Sequence, residues 1–399
     1  MSIRERIKGL IRRKCVDQAI KLMESQVFEF IKNADITKPT IALLEPYTCH
    51  GEVYPSYIKY FLDLGYDVHL LVQEQHLKFN SLENCNFPPD KFKMFSFRNF
   101  PDMQEFYEFL LNYEYLFFMT LFTSGGFCYV SQFKENFLQK YNKDNIYGIS
   151  HEIISSKLPT GLEKDEVMER HMLDNDKIFV LRPDIKHKSK ELPFASSIYF
   201  GDIRITPKNK KIRFVSIGGI WKKGLRNFDK LFNAIRKLHE NNFRDFEIVF
   251  VCIDKVLFES YLTPEIASYV TLIDRVPYKD LYNCVEDGDF ILFNIDKEAT
   301  VDYEKYLHYG ITGNYSISIG FETPGLIYEE LALAYDLDNT KAIHYTDDLY
   351  DAMKQAIEMP QIRYSEMQLN IKKFKEKLME RSAENLQNAF HKQPINVDR

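Results

Sequence analysis

The sequence holds a single tryptophan, and its six cysteines, Cys15, Cys49, Cys85, Cys128, Cys252 and Cys284, form no C-x-x-C pair and gather no histidines. Neither a zinc site nor a disulfide framework fits that scatter. With only 16 glycines and 15 prolines in 399 residues, a collagenous or low-complexity chain is excluded. The 45% hydrophobic content is too high for disorder. No apolar run approaches the roughly 18 residues that a membrane span requires. Charge of one sign is lacking too: 58 acidic against 52 basic side chains leave a net −6, without the basic footprint of a nucleic-acid binder. The N-terminus carries positive residues without an apolar core, which is not the pattern of a secretory signal. A reducing cytosol is the expected compartment.

What is plentiful is phenylalanine and tyrosine, 32 and 25 residues. A carbohydrate-binding surface or an A/T-rich coding sequence would each account for them. The length suits two or three domains, each able to bury its own core. Residues 41–45 (IALLE) read as a strand, the pattern Tyr57, Phe61, Leu64 as a helix capped at Gly65, and Val68–Val72 as a second strand. That order has the size of a parallel βαβ unit. Apolar runs at 115–122, 146–149 and 178–181 extend the sheet. Residues 183–211, lysine-rich and broken by prolines, read as an interdomain linker.

The alternation then restarts, with strands expected at 212–217, 246–252, 269–273, 289–294, 324–328 and 342–345, and helices at 226–239, 347–358 and 365–390. The fold class is therefore α/β, with two Rossmann-like domains facing a central cleft. The expected division is a basic amphipathic helix at 1–36, domains at 37–205 and 206–364, and a last helix at 365–399. No internal repeat is visible. In its first fourteen residues six basic side chains face one acidic side chain, interleaved with Ile3, Ile7, Leu10 and Ile11. Two placements suit this pattern: on an anionic bilayer, as a peripheral contact at the inner face of the membrane, or packed on the domain with the basic face in water.

In open parallel sheets ligands bind at the carboxyl ends of the strands. Three loops there could carry chemistry. Gly218-Gly219 followed by Lys222-Lys223 combines close backbone approach with positive charge, as a diphosphate requires; it also reads as a tight turn. Gly313-Asn314-Tyr315-Ser316 opens a short helix, whose free N–H groups favour an anion. His50 and Glu52, after the first strand, can act as a base or bind acceptor hydroxyls, with His151 after a later strand as a further candidate. There is no Walker loop and no G-x-S-x-G; with no H-E-x-x-H and no D-x-D in a metal context no metal site is expected, and with no G-x-G-x-x-G after the first strand a dinucleotide dehydrogenase is not expected.

The stretches FVSIGGIWKKGLRNFDKLFNAI, RVPYKDLYNCVEDGDFILFNID and GITGNYSISIGFETPGLIYEELA resemble the donor domain of GT-B glycosyltransferases, and LLEPYTCHGEVYPSYIKYFLDLGYDVHLLV resembles, less specifically, their first domain. The nearest likeness is to glycosyltransferase family 4, of bacterial surface-polysaccharide pathways such as capsule, lipopolysaccharide and O-antigen. The resemblance implies transfer of a sugar from a nucleotide sugar to a saccharide or lipid-linked acceptor, without metal or other cofactor and without a nucleic-acid partner. It maps Lys223 onto the lysine that contacts the donor diphosphate. It suggests that Val276 and Tyr278 contact the base. The sequence departs from the family at Gly219, where an arginine is usual, and at Ile317, where the second glutamate of the E-x7-E motif falls. Glu329 or Glu330 is the candidate replacement on the ribose. The usual first-domain histidine is also missing from the loop Thr120–Ser124. These departures keep open a non-catalytic GT-B-like partner subunit as an alternative; a sugar-nucleotide epimerase of similar two-domain build is the rival among enzymes.

Overall fold

The computed structural model describes residues 39–45, 50–97, 110, 112–120, 145–151, 174–187, 190–218, 226–251, 258–259, 262–301 and 303–391. The expected N-terminal helix and Gly219, Lys222 and Lys223 lie outside the described residues.

The first half is a six-stranded parallel sheet of β1 (Thr40–Glu45), β2 (Asp67–Gln73), β3 (Phe92–Phe97), β4 (Tyr115–Phe118), β5 (Ile146–Ser150) and β6 (Ile178–Val180), in spatial order 3-2-1-4-5-6. The second half repeats that order with β7 (Ile212–Ile217), β8 (Phe246–Val251), β9 (Val270–Ile273), β10 (Phe290–Leu292), β11 (Gly325–Tyr328) and β12 (Ala342–Tyr345). Two doubly wound sheets of one topology thus occur in a chain whose sequence shows no repeat. The inner strands are buried along nearly their whole length, which is why they read as continuous apolar runs instead of alternating ones, while the edge strands β3 and β9 are partly exposed. In both sheets the order reverses beside the first strand, so each has a crevice at the carboxyl ends of its first and fourth strands.

Helices α1 (Tyr54–Asp63), α2 (Phe228–Glu240), α3 (Tyr278–Glu286), α4 (Gly313–Gly320), α5 (Glu329–Ala334), α6 (Leu349–Glu358) and α7 (Gln361–His391) complete the two halves. Asn227 caps α2 by accepting from the Lys230 N–H at 3.1 Å, so the helix begins two residues later than the expected 226. Helix α7 starts earlier than expected and serves both cores. Its Tyr364, Met367 and Ile371 pack in the second half, and its Leu386 and Phe390 pack in the first. Phe390 stacks on Tyr147 with ring centroids 4.2 Å apart and also meets Phe61, Tyr66 and Tyr115. The aromatic residues are largely spent in this way: Tyr54, Tyr57, Tyr60, Tyr147, Tyr282 and Tyr315 are among the largest fully buried side chains.

The segment read as a linker is more than a tether. Phe194, Ala195, Ser196, Ser197, Ile198 and Phe200 are buried, and Phe200 packs on Tyr282 and Phe321 of the second half. Among the described residues no helix is long and apolar enough to cross a membrane.

Candidate functional site

The carboxyl ends of the two sheets face one cavity of about 280 Å³, lined by His50, Glu52, Val53, His151 and Leu181 from the first half and by Arg226, Lys305, Tyr306, Ile311, Thr312, Gly313 and Ser316 from the second.

On the first side a 3-10 turn, Gly51–Val53, leads directly into α1. His50 precedes that turn in the left-handed region, φ 65° and ψ 25°. Its Nδ1 stands 3.5 Å from Glu52 Oε1, and the other Glu52 oxygen accepts a 2.7 Å hydrogen bond from the Tyr278 hydroxyl. Burial alone would raise the Glu52 carboxyl; the contact and charge of His50 and the Tyr278 bond outweigh it and hold the group down at about 2. The His50 and His151 rings lie 4.1 Å apart. His151 Nε2 is 2.9 Å from the Met119 carbonyl and 3.3 Å from Thr120 Oγ1, and the Thr120 hydroxyl donates to the buried Glu45 at 2.7 Å. A carbonyl only accepts, so Nε2 carries the proton and Nδ1 the lone pair. Burial, followed by the His50 charge, pushes His151 down to about 3, which keeps it neutral.

On the second side Arg226 crosses the sheet edge. Its guanidinium donates to the carbonyls of Phe293, beyond β10, and Ile217, the last residue of β7. Burial lowers its pKa, yet arginine remains charged at neutral pH. Gly218, at φ +116°, makes room for it: a Cβ there would stand 2.9 Å from Arg226 Nη2. Helix α4 points its N-terminus at the cavity. Thr312 caps it by accepting from the Tyr315 N–H at 3.3 Å, while the N–H groups of Gly313 and Asn314 have no intrahelical acceptor. Lys305 opens a π-helical turn, Lys305–Tyr309, held from across the cleft by Arg182. That arginine is 1% exposed, donates to the Leu307 carbonyl at 2.8 Å and the Tyr306 carbonyl at 3.3 Å, and lies over the Tyr335 ring. The cavity therefore sets two cations and the positive end of a helix dipole opposite a histidine pair and a carboxylate.

No protein-family model matches the chain, and no curated protein sequence matches it. Solved structures do. Sucrose-phosphate synthase from Thermosynechococcus elongatus superposes with a TM-score of 0.54 at 10% identity, covering 89% of this chain and 99% of that one. The glycosyltransferase AviGT4 of avilamycin A biosynthesis gives 0.53 at 12% identity, over 88% and 98% of the two chains. An alpha-glucosyltransferase solved with UDP and DNA gives 0.53 at 12%, over 87% and 95%. The chain has the GT-B fold. At these identities the likeness is one of fold.

In this GT-B frame the structure brings His50, Glu52, His151, Gly313 and Ser316 into one cavity, with Gly218 behind Arg226. Asn314 and Tyr315 are not among the lining residues: Asn314 Nδ2 donates to the Leu292 carbonyl at 2.9 Å, and Tyr315 is fully buried in the core. Val276 packs partly buried against the core, and the Tyr278 hydroxyl is bound to Glu52; neither lines the cavity. Glu329 and Glu330 are exposed at the start of α5, where Glu330 accepts from the Tyr303 hydroxyl at 3.1 Å, and they also stand outside the cavity. Arg226, Lys305 and Arg182 escaped the sequence reading. For Arg226 a signal existed: Asn227 is a good N-cap, which leaves Arg226 in the loop at the strand ends instead of on the helix.

Proposed function

We propose that the protein is a glycosyltransferase that moves a sugar from a nucleotide-sugar donor to a saccharide or lipid-linked acceptor, without a metal ion. The observation that carries this reading is the convergence of Arg226, Lys305 and the α4 N-terminus on the cavity wall opposite His50 and Glu52. Departure of a nucleoside diphosphate places about two negative charges on the leaving group, and preorganised cations and N–H groups stabilise it most where water is excluded. Lys222 and Lys223, outside the described residues, are proposed to add to that charge. Two GT-B structures with the same overall likeness, the alpha-glucosyltransferase above and Arabidopsis UGT89C1, contain UDP, which supports a nucleotide in this cleft.

On the acceptor side His50 is the proposed base. Glu52 Oε1 stands 3.5 Å from its Nδ1 and is proposed to orient the imidazole that takes the proton of the attacking hydroxyl. Val53, Leu181 and Ile311 give the cavity apolar wall. A place in bacterial surface-polysaccharide synthesis rests on the family-4 resemblance, whose members retain configuration at the sugar. A base at the acceptor is what inversion uses, and NMR of the product linkage against a known donor distinguishes the two. The basic N-terminal segment is proposed as a contact with anionic lipid on the cytoplasmic face; sedimentation with anionic liposomes of the full chain, against one starting at Asp35, tests it.

The experiment for the reading as a whole is a thermal-shift screen with UDP, GDP, CDP and their sugars. A ligand at 100 times its dissociation constant stabilises by about 2.7 kcal/mol. Silence toward all of them would favour a non-catalytic partner subunit, a reading suggested by Ile317, which is buried at the usual position of the ribose carboxylate.

A further inference from the structure

Glu52 stands in the 3-10 turn before α1 of the first half, but the group that holds its second oxygen comes from the other half of the molecule. Tyr278 is the first residue of α3, and its hydroxyl reaches Glu52 Oε2 at 2.7 Å across a sequence separation of 226 residues. Gly51 permits the approach: a Cβ there would stand 3.2 Å from Tyr278 Cε2. The surrounding segment is docked at two further points. The Arg275 guanidinium lies 4.1 Å over the Phe79 ring, and Lys279 Nζ is 2.7 Å from Glu83 Oε1. Both Lys279 and Glu83 are exposed, so that ion pair is weak. The Tyr278 bond is different in kind, being charge-assisted and part-buried.

We infer that Tyr278 is a positioning residue: its hydroxyl orients the Glu52 carboxylate toward His50, so the acceptor-side base is complete only when the nucleotide-binding half is docked against it. The inference rests on the proposed transfer reaction. Its chemical consequence is that an open cleft holds an unassembled base, which disfavours activation of water in place of the acceptor.

The test is a double-mutant cycle on the full chain with Tyr278→Phe, Glu52→Ala and the double variant, read in thermal unfolding and in sugar transfer. In unfolding, the two substitutions are expected to be non-additive, the double variant being no less stable than Glu52→Ala. In transfer, Tyr278→Phe is expected to lower kcat about tenfold, equivalent to about 1.4 kcal/mol, with donor KM within about twofold. In the Glu52→Ala background it is expected to have no further effect. Multiplicative effects on kcat, or a raised donor KM at unchanged kcat, would overturn the inference. If no donor is turned over, the proposed reaction fails, and the unfolding cycle alone decides whether Tyr278 holds Glu52; additivity there refutes it.

Discussion

Replacing Arg226 by alanine removes the cation that ties the carboxyl ends of β7 and β10 together at the cavity wall. A guanidinium has five N–H donors. The two bonds to the Phe293 and Ile217 carbonyls leave others available to a bound diphosphate. A hydrogen bond to a charged group is worth about 1.5–3 kcal/mol, so loss of one such bond should weaken nucleoside-diphosphate binding by about 10- to 150-fold. Stability should fall as well, by roughly 1–3 kcal/mol, because two strand-end carbonyls lose their donor. Arg226→Lys keeps the charge but not the fork, and should bind between the wild type and the alanine variant. The assay is isothermal titration with UDP, GDP and CDP at low and moderate salt, alongside circular dichroism to establish folding. Should folded Arg226→Ala bind the responsive nucleotide within about twofold of the wild type, the phosphate assignment is wrong.

Three further outcomes follow from the same geometry. His50→Gln should lower transfer by about 10²- to 10⁴-fold while leaving donor affinity unchanged; a parallel loss of donor binding would place His50 on the wrong substrate. His69 is buried against the Tyr113 hydroxyl, and burial, with the Lys93 charge, pushes it from 6.5 down to about 4. Above pH 6.5 it is neutral in both states; as pH falls toward 4 the unfolded chain binds its proton first, so about 1.4 kcal/mol of stability is lost per pH unit. His151, pushed down to about 3, should act in the same sense over a longer interval, and equal urea midpoints at pH 7 and pH 5 would contradict both. Phe390→Ala should cost about 3–5 kcal/mol by emptying the aromatic site that anchors α7 to the first half; a loss under about 1 kcal/mol in urea denaturation would mean the helix is held elsewhere.

The architecture was legible because buried parallel strands write themselves as short apolar runs. IALLE, DVHLLVQ and IRFVSI each became a strand of a 3-2-1-4-5-6 sheet. His50, Glu52, His151 and Gly313 were legible for a related reason: they follow those runs, and strand order puts the ends of such runs in one crevice. The remainder depends on contacts between remote residues. Nothing near Tyr278 in sequence indicates that Glu52 is its partner. Arg226 and Arg182 read as surface charges, since arginine is rarely buried, and only the carbonyls they meet across strands explain their positions. The buried stretch PFASSIYF was masked by its lysine-rich neighbours, whose polarity dominates any reading window.

This cleft is proposed to bind a nucleotide sugar and to release its nucleoside diphosphate without metal. Its most direct test is release of nucleoside diphosphate, followed by mass spectrometry in the presence of EDTA, from a panel of UDP-, GDP- and CDP-sugars with candidate saccharide and lipid-linked acceptors. Release above the protein-free background is expected from at least one donor, and is lost in Arg226→Ala. Background-level release from every donor, with no thermal stabilisation by any nucleotide, would contradict it.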